Sequence, residues 1–553
     1  MPMYITGGHD HSLRPLSPGF SSSLLSQVFT MASFPSLDSP PARSLADILA
    51  EPRSAKSTFT VNLVKLYAAL VPACLVVSAT NGYDGSLLNG LQGVTQWQQQ
   101  FGAPKGALLG IISASYPLGA ILSTPFSAPI ADRFGRRWPI LIGSLIMIVG
   151  TIVQAFTDTV GGFLGGRLIV GFGITLALAP APVLISELVH PAHRSVFTGM
   201  YNTSFYVGSI LAAWVTYGST RGMTGNWTWR LPTILQAMPA TFQVIFIWML
   251  DESPRWLVYR DRHEEAFAVL VKIHGNGDVN DPLVLAEFHE MNVAITREKE
   301  EKTSSWKLFF TTKANRRRFL VVSLLAVFGQ WSGNGLVAYY LTKILESVGV
   351  TSQKEKLVLN GVLQVVNYVV AITAAFLTHR VRRRVMFVGG GIAMWLTFSA
   401  LAICIAVFIE KNSAAAGKAA IGFIFIYYSA YNFCLNPLAY LYPTEILPFR
   451  LRAAGISVLV FFNKGALFFN QFVNPIGMDS LSWKYYIVYI VWLVVEVLCF
   501  YFLFPETKGL TLENAGHLFE EREGASGLME SKLGDVESSA VSGKDLSTVQ
   551  HVR

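Results

Sequence analysis

Apolar residues run for about twenty positions at a time along this chain, and polar residues collect between the runs. Runs of that length suit helices that cross a hydrocarbon core about 30 Å thick. The first six lie near residues 64–91, 105–131, 138–157, 161–187, 195–218 and 230–250. A stretch over 251–317 follows with too many Lys, Arg and Glu to enter a bilayer. Six more runs lie near 318–347, 356–379, 386–409, 418–443, 453–475 and 485–504. The pattern predicts an all-α membrane protein with twelve transmembrane helices in two six-helix halves. Its expected domains are a disordered N-terminal tail (1–63), a six-helix bundle (64–250), a cytosolic helical linker (251–317), a second six-helix bundle (318–504) and a C-terminal tail (505–553). Both tails are polar and rich in small residues, a composition that cannot bury enough apolar surface to order itself.

Composition narrows the class. Of 553 residues, 52% are hydrophobic and only 14% charged, with a mean hydropathy of +0.43. A soluble domain is about a quarter charged, so this chain has too little charge to cover a soluble surface. The net charge of +8 is loop charge, because no basic stripe interleaved with aromatics marks a nucleic-acid face. The four cysteines, Cys74, Cys404, Cys434 and Cys499, sit in apolar runs without a C-x-x-C spacing and read as small hydrophobes. No nucleophile–base pair, metal cluster or phosphate loop marks an enzyme, and no cofactor is expected.

Charge also orients the chain. Arginines gather after even-numbered spans: Arg133, Arg136 and Arg137; Arg380 and Arg382 to Arg384; Arg450 and Arg452. The loop after span 3 has no Lys or Arg. Positive residues mark cytoplasmic loops, which places these loops, the 251–317 segment and both termini in the cytosol. The halves repeat. DRFGRR (132–137) is answered by HRVRRR (379–384), and SELVHPAHR (186–194) by TEILPFRLR (444–452). DESPRWL after span 6 is answered by PETKGLTLE after span 12. Two repeated halves joined by a long loop are the build of transporters that alternate access around a site near the midplane.

One acid stands inside an apolar run. Asp84 lies in span 1, about seven residues or on the order of 10 Å from its outer end. Arg167 lies about six residues into span 4, at a similar depth. Each charge alone is costly in a bilayer, so the two are expected to pair. Burial raises a carboxyl pKa and a neighbouring Arg lowers it, so a contact that changes during transport would turn Asp84 into a proton carrier. Arg stays charged and cannot take that role. A static tie between spans 1 and 4 is the other reading.

Nine stretches together carry a family resemblance: GYDG (82–85), DRFGRR (132–137), GRLIVGFG (166–173), PVLISELVHPAHR (182–194), WRLPTILQ (229–236), ESPRWL (252–257), QWSG with YY (330–340), TEILPFRLRAAG (444–455) and PETKGLTLE (505–513). In this order and at these span ends, they make the chain resemble a sugar porter of the major facilitator superfamily across roughly 62–515. The forms at Tyr201–Asn202 and Gln330–Gly335 look most like the fungal lactose-permease-like and hexose transporter branch.

The resemblance implies the major facilitator fold and a sugar substrate. It implies proton coupling through Asp84 and Arg167, since uniporters of the family often have an uncharged residue at the first position. It implies a cytosolic gating network of Asp132, Arg133, Arg136, Arg137, Glu187, Arg194, Glu252, Arg255, Arg383, Glu445, Arg452 and Glu506. In its second copy His379 replaces the acid and Arg382 the glycine, which predicts a weaker or different latch. For the sugar, amides carry both donors and acceptors and aromatics suit the ring face. The expected contacts are Asn202, Gln330, Asn334, Tyr339, Tyr340, Asn367, Asn436, Tyr440 and Asn463. Relatives carry Gln where this chain has Gly329 and Asn202, and Asn where it has Gly335. The lost bulk predicts a cavity wide enough for a disaccharide.

Two intramembrane charges fall outside these sets. Lys464 replaces a residue that is Trp in many relatives, and it either lines the cavity or pairs with an acid or carbonyls. Glu496 in span 12 is expected to snorkel or find a local partner. The sequence reading is a proton-coupled importer of a mono- or disaccharide, functional as a monomer in the plasma membrane, with no nucleic-acid partner. A facilitative sugar or polyol uniporter and a non-transporting sugar sensor are the alternatives.

Overall fold

The computed structural model describes residue 48, residues 60–300, 305–378, 380–447, 449–508 and residue 519. The expected tails, apart from their inner edges, and His379 lie outside these residues. The side chain of Arg452 is likewise not described. Every described regular element is a helix. Nine stretches are long and apolar enough to cross a membrane by length and composition. One of them, Ala454–Leu503, reverses at the turn Ser482–Lys484, where Ser482 takes a φ of +51°, and so supplies two spans. Arg194–Gly222 and Ala414–Ile446 are less apolar, yet have 29 and 33 residues, enough to cross. Among the described residues this makes the twelve membrane-length helices that the apolar runs predict.

Of the described residues, those within Met1–Pro104, Ile111–Lys302 and Ser352–Val365 form one compact unit. Those within Lys105–Gly110, Thr303–Thr351 and Val366–Arg553 form the other.

In the first unit, span 1 covers Val61–Gln92. Thr60 caps it, its hydroxyl accepting from the Leu63 N–H at 3.3 Å. Pro72 has no N–H to give, and there the helix widens into a π-helical turn over Val71–Leu75. Span 4 is two helices, Val160–Leu178 and Pro180–Leu188, interrupted where Pro180 removes a donor. Glycines set the helix spacing. A Cβ at Gly82 would strike the Phe205 carbonyl of span 5, and one at Gly208 would strike the Ala79 carbonyl of span 1. Gly119 and Gly171 give the same close crossing between spans 2 and 4. With no hydrophobic drive between helices in lipid, such small-residue crossings supply much of the packing.

The linker forms the helices Pro254–Tyr259, His263–Ile273 and Pro282–Glu300, then Ser305–Thr311. Its apolar faces join the first unit's core: Leu257, Phe267, Leu270 and Phe288 pack in one cluster with Leu66, Leu184 and Leu188.

In the second unit, span 7 departs from the single helix expected over 318–347. It breaks into Lys313–Trp331 and Asn334–Ser347 around Gly333, whose φ of +100° only glycine adopts freely. Tyr340 is a second non-helical point, with φ −131° and ψ 22°. Span 8, Gln353–Leu377, has its residues up to Val365 in the first unit and the rest in the second; spans 9 to 12 are Arg383–Lys411, Ala414–Ile446, Phe449–Leu481 and Tyr485–Leu503.

Candidate functional site

The glycine crossings place Asp84 opposite Arg167. Both are about 1% exposed, and the guanidinium NH1 and NH2 each lie 3.4 Å from a carboxylate oxygen. Around them most polar groups have partners. Arg167 Nε donates to the Ile112 carbonyl (3.1 Å), and its guanidinium stands 5.7 Å from the centre of the Tyr116 ring. Tyr116 OH in turn donates to Asn81 (2.6 Å). Gln236 Nε2 donates to Asp84 Oδ1 at 2.8 Å, shorter than either Arg contact. Gln236 ends the WRLPTILQ stretch, but its apolar surroundings in sequence gave no sign that its amide reaches span 1. The arrangement is loose as an ion pair. At 3.4 Å the Arg holds the charge without gripping it, and the amide supplies the short bond.

Two similar clamps form at the arginine-rich loops after spans 2 and 8. In the first unit, Glu252 accepts the backbone N–H of Arg136 (2.9 Å) and of Arg137 (3.3 Å). Arg136 reaches Asp132 at 3.1 Å and Glu187 at 3.7 Å. In the second unit, Glu506 accepts the N–H of Arg383 (2.9 Å) and of Arg384 (3.0 Å), and Arg383 meets Glu445 at 3.0 Å. Burial pushes the Glu252 carboxyl above its usual range, and the N–H donors of Ser253, Arg136 and Arg137 pull it back only in part.

The second clamp, expected to be weaker or different, differs: its Arg–Glu contact is the shorter one. The two loops reach their glutamates by different backbones. Gly135 has a φ of +100°, and a side chain there would overlap the Glu252 carboxylate; Arg382, its counterpart, has an extended backbone and needs no glycine. Arg133 is exposed and stacks on Phe134. Arg136, Arg194 and Arg255 all place positive charge near Glu187.

Arg194 also has a partner that the repeat did not indicate. It meets Glu287 of the linker at 3.4 Å. Glu287 Oε2 lies 2.7 Å from His274 Nδ1, while His274 Nε2 faces the Leu188 carbonyl at 3.2 Å. Burial favours the neutral Glu287 acid, but His274, then Arg194 and His190, together outweigh it and hold the carboxyl below its usual range. A carboxyl lowered by folding stabilises the fold at pH above its unfolded value, and that gain is lost as pH falls through the lower folded value. Glu287→Gln is therefore expected to lower the melting temperature of the purified protein at neutral pH. The deficit should close only below pH about 4.5, the ordinary carboxyl value. A deficit independent of pH would show that the lost charge is not its cause.

The sugar candidates divide. Gln330, Tyr440 and Asn463 line one small cavity of about 50 Å³ with Gly329, Tyr431 and several aliphatic residues. That volume holds one hydroxyl-bearing corner of a sugar and not a whole ring. Gly329 opens towards it, since a Cβ there would meet only Asn463 Nδ2, at 3.9 Å. Gly335 does not add room, because Asn470 occupies the space that its side chain would take. Asn367 is buried in an amide ladder, accepting from Asn432 (3.0 Å), which accepts from Asn436 (3.3 Å). Asn367 Nδ2 and Asn334 Oδ1 are buried without a hydrogen bond among the described residues and remain available to a ligand. Tyr340 is fully buried and spends its hydroxyl on the Gln471 carbonyl (2.6 Å). Tyr339 is half-buried, and Asn202, in the first unit, is exposed.

Lys464 is buried. Glu496 does not snorkel: it is fully buried, and Trp492, one turn before it, is its local partner. Tyr427 and Cys434 of span 10 are within reach of its charge.

A family model described as "Sugar (and other) transporter" matches residues 70–519, most of the chain. The MFS-type transporter criB of Aspergillus cristatus is 28% identical over 460 residues, covering 82% of this chain and 94% of that one. The high-affinity glucose transporter of Kluyveromyces lactis is 29% identical over 457 residues, covering 79% and 82%. The xylose transporter XylE from E. coli, solved in a partially occluded inward-open conformation, superposes with a TM-score of 0.67 at 22% identity, over 82% of this chain and all of that one. That likeness speaks to the fold. Twelve membrane-length helices, a match over most of the chain and relatives that are transporters and not enzymes lead to one assignment: this integral membrane protein belongs to the sugar transporter family of the major facilitator superfamily.

Proposed function

We propose that this protein imports a mono- or disaccharide together with a proton by alternating access. It works as a monomer in the plasma membrane with both termini in the cytosol. The observation that carries the proton is the buried Asp84–Arg167 pair with Gln236 bonded to the same carboxylate. Lengthening an already long Arg contact favours protonation, and shortening it favours release. Gln236 can donate to the carboxyl oxygen in either state, so Asp84 keeps one polar partner throughout. The XylE structure with bound 6-bromo-6-deoxy-D-glucose is described as a proton:xylose symporter, which supports the same reading at the level of the fold.

In the second unit, sugar contact is assigned to Gln330, Asn334, Tyr339, Tyr440 and Asn463, with Asn367 and Asn436 from the amide ladder and Tyr340 as a packing member of the set; in the first unit, it is assigned to Asn202. The cytosolic clamps at Glu252 and Glu506 are assigned to gating, because a carboxylate that holds two backbone N–H groups gives the loop a discrete closed arrangement. The missing side chain at Gly329 supports a substrate bulkier than a hexose, such as a lactose- or cellobiose-like sugar, with one hydroxyl-bearing corner at this cavity.

Competition against labelled sugar uptake by lactose, cellobiose, glucose, galactose and xylose tests this. The disaccharides are expected to compete in the native protein. Gly329→Gln should weaken their competition about tenfold or more, while monosaccharides change little. Competition by monosaccharides alone would overturn the disaccharide assignment, and no sugar uptake at all would overturn the function.

A further inference from the structure

The break in span 7 exposes backbone carbonyls that an unbroken helix would satisfy, and in a membrane such groups need protein partners. Three side chains supply them. Tyr431 OH donates to the Gly329 carbonyl (2.9 Å), Asn470 Nδ2 to the Gln330 carbonyl (2.7 Å), and Tyr427 OH to the Ser332 carbonyl (2.8 Å). Asn470 is itself held. Its Oδ1 accepts from Asn474 Nδ2 (2.6 Å) and from Tyr489 OH (2.8 Å). Asn474 is fixed in turn by Tyr485 OH at 2.9 Å. These bonds set which end of the Asn470 amide is the donor and aim it at Gln330. Gly335 completes the device, since any side chain there would overlap Asn470 Nδ2.

We propose that Asn470 is a positioning residue that fixes the Gln330 end of the broken span 7, and with it the Gln330 amide, for sugar binding. Asn474, Tyr485 and Tyr489 form the backing that keeps Asn470 in its rotamer. The assignment rests on the proposed role of Gln330 in sugar contact. It gives Gly335 a reason other than cavity width: the glycine admits the asparagine.

The test is a double-mutant cycle on sugar uptake by the full chain, with Asn470→Ala, Gln330→Ala and the pair. Loss of the Asn470 bond to the Gln330 carbonyl should raise KM about tenfold, with kcat changed less than about twofold. In the Gln330→Ala background, adding Asn470→Ala should change KM less than about twofold, because there is no amide left to position. If Asn470→Ala does not fold, Gly335→Ala displaces the Asn470 amide without removing it, and the same cycle is run with Gly335→Ala. Effects that multiply independently, or an unchanged KM in a folded single variant, overturn the proposal and leave the transport function standing. A native protein that takes up no sugar overturns the function, and the assignment with it.

Discussion

Asp84→Asn is expected to abolish accumulation of sugar against its gradient while exchange of sugar across the membrane continues. Asparagine has the shape of aspartate, and its oxygen can still accept from Gln236 and Arg167. It cannot carry a proton. A proton gradient of two pH units can sustain about 100-fold accumulation, since each tenfold ratio corresponds to about 1.4 kcal/mol. The variant should lose that factor, and its uptake should become indifferent to external pH and to protonophore. Counterflow of labelled sugar, which needs no proton gradient, should remain within a few-fold of native. Arg167→Ala is the contrast. It leaves a carboxylate buried without its cation, a change that costs about 3–5 kcal/mol in comparable sites. That variant should fail in folding before it fails in coupling, and Asp84→Asn in the same chain should restore much of the yield. If Asp84→Asn instead accumulates sugar normally, the pair is a static tie between spans 1 and 4.

Gly82→Val should remove the folded protein altogether. A Cβ at Gly82 runs into the carbonyl, carbon and Cα of Phe205, all backbone atoms that no rotamer change can move. Gly208 packs on Ala79 in the same way from the other helix, so spans 1 and 5 touch backbone to backbone along this face. Valine would force the helices apart. It would also shift Tyr83, whose hydroxyl donates to the Pro232 carbonyl (2.8 Å), and the neighbouring Asp84. Size-exclusion profiles in detergent should show little or no monodisperse Gly82→Val protein. A control at Gly218, which faces open space, should behave as native with either Ala or Val. A well-folded Gly82→Val protein would mean that the crossing is not needed to hold Asp84 in place.

Much of this was legible before any coordinates. Apolar runs mark the spans because a bilayer demands length and hydrophobicity, and both are one-dimensional properties. The Asp84–Arg167 pairing could be read from depth alone, since two costly charges at one level have an obvious remedy. What stayed hidden depends on rotamers and on helix rotation. Gln236 stands among apolar residues, and only the packing of span 6 on span 1 turns its amide towards Asp84. The break at Gly333 falls in GQWSGNG, whose Gly, Ser and Asn are turn-forming residues, but the long apolar runs on either side make the whole stretch read as one span. The Asn470–Asn474–Tyr485–Tyr489 network joins residues of spans 11 and 12 that show no shared sequence signature. Gly335 could be read as a widened cavity from composition, but the space is filled from a helix 135 residues on, at Asn470. Glu496 could have snorkelled by its chemistry, yet it is fully buried in the middle of span 12, which depends on helix rotation.

The central claim is that sugar and proton cross together by way of Asp84. Cells or vesicles carrying the protein, weakly buffered outside, report both at once when labelled sugar is added and external pH is recorded. The account predicts external alkalinisation that starts with sugar addition and rises in proportion to uptake. It is absent in Asp84→Asn, although sugar exchange persists. Sugar uptake at the native rate with no pH change, or an alkalinisation of undiminished size in Asp84→Asn, would contradict it.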